Sequence, residues 1–275
     1  MRRLVVAMMV AGTAQAAQAA DLPDFSALRG PVGISRGVVN WQGFYAGGQA
    51  GYGAADMNFA GSNQALIARL LANTVIENDM QVSGWPLAIG KQTTHQSVYG
   101  AFAGYNSQWD DVVIGVEANY MHGNFNGRSS ATVARMSGAA LSDTNFHAVS
   151  ATSIKSISIS DIGSIRARAG YVIGDFLPYV FGGVALGRAN ISSTVSVSDQ
   201  WGASATAART ATPVVLTASE GAGGKLLYGY AAGIGTEVNL FGNVFARGEW
   251  EYIRFVNAGA DVNINTVRGG LGYKF

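Results

Sequence analysis

Cysteine is absent from the 275 residues. Neither a disulfide framework nor a thiolate metal site is therefore available to hold the fold together. Charge is scarce as well: Asp, Glu, Lys and Arg make up 13% of the chain, where an ordinary soluble domain carries about 25%. Beyond residue 19, no apolar run reaches the ~18 residues that a membrane-crossing helix requires. Low charge without helical spans leaves a secreted β-rich protein, or a barrel whose apolar residues are dispersed along alternating strands. An excess of either sign of charge is missing too. Without Arg2 and Arg3, 16 basic side chains face 17 acidic ones, a balance that argues against nucleic acid as a partner.

Of what is present, the first segment is the most legible. Arg2 and Arg3 precede an apolar run from Leu4 to about Ala14, and Ala17-Gln18-Ala19 follows as a small-x-small cleavage site, so residues 1–19 are expected to be a signal peptide. Residues 20–40 carry Pro23, Pro31 and scattered charge without periodicity and are expected to form an exposed periplasmic leader. Residues 41–275 form the remaining domain.

Within that domain, period-two alternation predicts strands at 43–53, 97–108, 111–121, 161–173, 177–187, 227–240, 243–255 and 266–275. Links after the second, fourth and sixth strands are two or three residues, whereas those after the odd-numbered strands are longer. An even strand number with short turns at one end and long loops at the other predicts an all-β, eight-stranded antiparallel transmembrane β-barrel. Its short turns would be periplasmic and its long loops extracellular. A ten-stranded variant, with a further hairpin within 188–226, is the alternative, though Pro213 weakens that segment as an inner strand.

Charge placement separates a barrel from a soluble sheet. In the third strand Val112, Ile114, Val116, Ala118 and Tyr120 share one face, opposite Glu117 and Asn119. Arg166 and Arg168 in the fourth strand, Glu237 in the sixth, Arg247, Glu249 and Glu251 in the seventh and Arg268 in the eighth likewise oppose the apolar face. The rest of the charged face is glycine-rich, unlike the Lys, Thr, Gln and Ser of a solvated sheet face. Eight strands enclose only enough room for side chains, so four glutamates and four arginines are expected to neutralise one another inside. Unpaired charge there would cost several kcal/mol.

The stretches "NWQGFYAGGQAGYG", "AGYNSQWDDVVIGVEANY", "IRARAGYVIGDFLPYVFGGVALG", "GYAAGIGTEV" and the closing "VRGGLGYKF" resemble the alphaproteobacterial outer-membrane β-barrel surface antigens, the immunogenic or porin-family proteins with an OmpA-like barrel. The resemblance implies a cell outer membrane location with both termini periplasmic. It also implies contact with outer-membrane lipid and lipopolysaccharide, and an aromatic terminus, Phe275, read by the outer-membrane assembly machinery. The long loops depart from the family pattern and could serve an unknown ligand.

Other chemistry is weakly signalled. His95, His122 and His147 are 27 and 25 residues apart, not a ligand spacing, so no metal or cofactor is expected. Asp143, His147 and Ser150 are close in sequence, but nothing there fixes a catalytic geometry, and an enzyme is not expected. Residues 64–78 place Leu66, Ile67, Leu70 and Leu71 at helical spacing in the first loop. The primary functional expectation is a structural surface antigen that supports envelope integrity, with a largely plugged lumen. Its alternatives are a narrow passive channel for small solutes or ions, and an adhesin or ligand-binding protein acting through the loops.

Overall fold

All eight alternating segments are strands in the computed structural model, which describes residues 39–59, 63–209 and 212–275. The expected signal peptide and nearly all of the leader lie outside the described residues. The strands are β1 (Gly43–Asn58), β2 (Lys91–Trp109), β3 (Val112–Met136), β4 (Phe146–Tyr171), β5 (Phe176–Gly202), β6 (Val214–Phe241), β7 (Val244–Phe255) and β8 (Asp261–Lys274). Each pairs with the next, and β8 closes on β1 to complete one barrel. Closure reaches the last residue, because the Phe275 N–H donates to the Phe44 carbonyl at 2.9 Å.

The short links turn tightly: Asp110 between β2 and β3 and Gly242 between β6 and β7 both adopt positive φ, 50° and 52°. Outward side chains form an apolar belt that includes Val116, Ile165, Val184, Ile234, Val267 and Leu271, each 56–67% exposed. Aromatic rings bound that belt on both sides. Phe44, Trp109, Phe176, Phe241 and Phe275 lie at the short-turn end, and Tyr52, Tyr99, Tyr120 and Tyr228 toward the long loops. Phe44 to Tyr52 is eight residues; at ~3.3 Å each and a tilt of ~40°, the belt stands ~20 Å tall, close to that of outer-membrane barrels.

Strands run beyond the eight segments above, in keeping with the alternation of 153–161 and 190–199, which continues past the bilayer height. β3 is paired to β2 only as far as His122, opposite Tyr99, yet continues on β4 to Met136. β6 meets β7 only from Gly229 but is paired to β5 from Val214. The four strands β3–β6 thus rise past the ring as an extended sheet, because the Ser/Thr/Val alternation of 146–160 and 188–202 keeps pairing after the apolar belt has ended. Among the described residues, 188–226 hold no separate hairpin; they lengthen β5 and β6, with Pro213 just ahead of β6. Bulges at His122/Phe125, Ile159/Asp161 and Ala189/Ile191 fall where this sheet leaves the ring, the position at which an extra residue bends a strand.

Among the described residues, the first loop holds two short α-helices rather than one, α1 (Gln64–Leu70) and α2 (Val75–Met80), and a 3-10 turn at Val82–Gly84. Thr74 breaks the run by adopting an extended conformation and capping α2, its hydroxyl accepting from the Glu77 N–H. Leu66, Ile67, Leu71, Ile76, Val82 and Trp85 then pack on Val149, Ala151, Val195 and Val197 of the extended sheet. The helical spacing is therefore spent on covering one face of that sheet.

Candidate functional site

The interior of the barrel is filled in three layers. At the short-turn end, Trp41, Tyr45, Phe102, Val113, Val172, Leu177 and Phe245 make an aromatic and aliphatic floor. Lys274 seals its edge, with Nζ 4.5 Å from the Trp41 ring centre and 2.9 Å from the Asn40 carbonyl.

All eight charged residues singled out by their strand face lie in the layer above, with side chains 1–2% exposed. Strand register sets three pairs directly opposite one another: Glu117 with Arg166, Glu237 with Arg247, and Glu249 with Arg268. Further bonds cross the bore. Arg247 on β7 donates to Glu117 on β3 at 2.7 Å, and Arg166 on β4 reaches Glu249 at 2.8 Å and Glu251 at 3.2 Å. Arg168 donates to Glu237 at 2.8 Å, and Arg268 bridges Glu249 and Glu251 at 3.0 and 2.7 Å. Guanidinium forks suit this network because each presents several fixed donors to carboxylates on different strands.

Aromatic members of the layer were not singled out from the sequence. The Tyr45 hydroxyl donates to Glu117 at 2.8 Å and that of Tyr179 to Glu249 at 2.7 Å. Arg247, Arg168 and Arg166 stack over Phe102, Tyr179 and Phe181 at 3.7, 3.9 and 4.1 Å. Their parity carried the signal: Tyr45 shares a face with Gln49, and Tyr179 with Phe181. Interior glycines make room for these rings, since a β-carbon on Gly235 would lie 2.5 Å from the Tyr179 ring.

Above the charges the lumen turns apolar. Met57, Phe59, Val98, Met121, Phe125, Ile159, Leu227, Ile253, Phe255, Val262 and Ile264 are all at most 2% exposed and form one cluster. This apolar layer lies between the long-loop end and the paired charges, and dehydrating an ion into such a layer is costly.

In the extended sheet, the structure joins Asp143 to His147 but sets Ser150 apart. His147 bonds Asp143 through Nε2 and Asp199 through Nδ1, at 3.0 Å each. Ser150, three residues along the same strand, falls on the other face, so Asp143, His147 and Ser150 do not assemble. His122 contacts Asp161 at 2.8 Å, and His95 stacks on Tyr52 with ring centres 5.9 Å apart, so the three histidines are apart from one another. Among the described residues, no group of three or more His, Asp or Glu is arranged to hold a metal ion.

Comparison with known proteins places this architecture. The model of the outer membrane protein beta-barrel domain matches residues 4–275. The 25 kDa outer-membrane immunogenic protein of Brucella ovis is 27% identical over 176 residues, 64% of this chain and 62% of that protein. That match spans less than two thirds of the relative's length. The 31 kDa outer-membrane immunogenic protein of Brucella melitensis is 26% identical over 287 aligned positions that cover both chains fully. Among solved structures, Neisserial surface protein A matches at 12% identity and a TM-score of 0.36, over 84% of this chain and 97% of that one.

Proposed function

The chain belongs to the outer membrane protein beta-barrel domain family, and from that membership we propose that it is a non-catalytic structural barrel with a sealed lumen. It supports the outer membrane and displays its extended sheet at the cell surface. One observation carries this reading: floor, ion-paired layer and apolar lid are stacked along the same bore. A narrow channel would need a continuous polar path, and the lid interrupts it.

Its relatives are named immunogenic proteins, which fits a role as a surface antigen. The apolar belt would meet membrane lipid, and the long-loop end lipopolysaccharide. Phe275, 75% exposed beside Tyr273, would be the ring that assembly machinery reads on β8. Proteoliposomes holding the full chain test the sealed lumen: challenged with a small sugar such as arabinose, they should swell no faster than protein-free vesicles. Rapid swelling would contradict it.

A second reading, ligand binding through the extracellular part, is favoured by the two sheet edges at Phe125–Met136 of β3 and Val214–Leu227 of β6. Neither edge has a strand partner on its outer side among the described residues. Such edges can be extended by a polypeptide in strand conformation.

A further inference from the structure

We propose that Asp143, His147 and Asp199 form a proton-operated clasp that fastens the β3–β4 loop across the extended sheet, closed while the imidazole is charged and released when it is neutral. Nε2 of His147 lies 3.0 Å from Asp143 Oδ2, and Nδ1 lies 3.0 Å from both oxygens of Asp199. A neutral imidazole has one N–H and one lone pair, so only the imidazolium can donate to both carboxylates. The side chain is 4% exposed, which leaves water little room to substitute for either partner.

The two carboxylates stand on different elements, and that makes the contact a fastening. Asp199 is on β5, held in register between Val149 of β4 and Val214 of β6. Asp143 belongs to the loop between β3 and β4, where it accepts from the Asn145 N–H at 3.0 Å. The same loop is tied to the first one, because the Ser142 N–H donates to Asp79 of α2 at 2.8 Å. Asp79 adds negative charge near the site that favours the imidazolium, while Arg135, opposite Val149 on the same sheet face, holds its guanidinium over the Trp85 ring. Among the described residues, neither Asp143 nor Asp199 has an ion-pair partner other than His147.

Burial pulls the His147 pKa down, but the hydrogen bonds to Asp199 and Asp143 outweigh it and hold the value above that of an ordinary histidine. A group whose folded pKa is raised contributes stability that is full below its unfolded value, ~6.5, and lost as pH rises through the folded one. On losing its proton, the ring must set a lone pair against one carboxylate. Asp143 yields first, being 32% exposed on a loop against 14% for the strand-held Asp199. Release loosens residues 137–145, which border a cavity of about 260 Å³ that Asp143, His147 and Asp199 line together with Ile76, Val197, Trp201 and Leu216. Widening that cavity exposes more of its apolar lining at neutral to alkaline pH than in acid.

The test uses the full chain in lipid nanodiscs. Labelled histidine followed by NMR from about pH 5 to about pH 9 reports the His147 ring, and amide exchange, corrected for its intrinsic pH dependence, reports residues 137–145. For each unit by which closure raises the imidazole pKa, deprotonation should lower the closing equilibrium about tenfold. Loop protection should fall at the His147 midpoint, which should lie above the ~6.5 of an ordinary histidine. Asp143→Asn should leave the loop weakly protected at every pH while the sheet around Asp199 stays protected, a result that needs no folded His147 variant. Loop protection in the wild type that does not change through the His147 midpoint, or a His147 ring neutral throughout, overturns the proposal.

Discussion

The guanidinium of Arg247 lies 3.7 Å over the ring of Phe102, and that ring occupies the space a β-carbon on Gly47 would need. Charge, aromatic face and glycine on three different strands are thus one packing unit. The glycine face that the sequence displays is explained by it: the missing side chains leave room for rings, and the rings line the arginines.

Removing an oppositely charged pair from the layer should cost less than the two single removals added together. Glu117 accepts from Arg166, Arg168, Arg247 and Tyr45, so Glu117→Gln leaves buried positive charge uncompensated, at a cost of ~3–5 kcal/mol. Arg168→Met and Glu237→Gln should each destabilise singly, and together by clearly less than their sum. Chemical unfolding in lipid vesicles reads this out; strict additivity would mean that the Arg168–Glu237 contact is not made.

Two glycines one strand apart should respond in opposite ways. Gly235→Ala puts a methyl group against the Tyr179 ring and should cost ~1–3 kcal/mol, as overpacking does. On Gly248, a β-carbon meets open space, so Gly248→Ala should stay within about 0.5 kcal/mol. Equal effects in the same unfolding assay would contradict the assignment of inner and outer faces.

Protease shaving of intact cells should cut at 137–145 and 203–213, the tips of the extended sheet. Paired strands at 122–136, 146–156 and 188–202 should resist, as should the first loop at 64–85, whose apolar side chains are buried against the sheet. Cleavage confined instead to 110–111, 172–175 or 242–243 would invert the topology.

Much of the membrane-level structure was legible because alternation is local. Val116 against Glu117, or Ile165 against Arg166, assigns two faces without knowledge of any partner strand. Legibility failed where that contrast faded. Met121, Phe125, Ile253 and Phe255 point inward yet are apolar, so the lid over the charges left no mark in the pattern. The alternation of 153–161 and 190–199 predicts strands that project above the bilayer, as β4 and β5 do, but it does not show that they run on to Phe146 and Gly202. Asp199, the second partner of His147, lies 52 residues away, and only the β4–β5 register brings it near.

The most direct test of a sealed bore is conductance. With the full chain reconstituted in planar bilayers at high salt, no steps or only rare and small ones are predicted, whereas the Glu117→Gln and Arg168→Met variants are expected to flicker more often. Large, steady openings of the wild-type protein would contradict the account, because ions cannot pass that freely through Phe125, Met121 and Phe255 as they are packed.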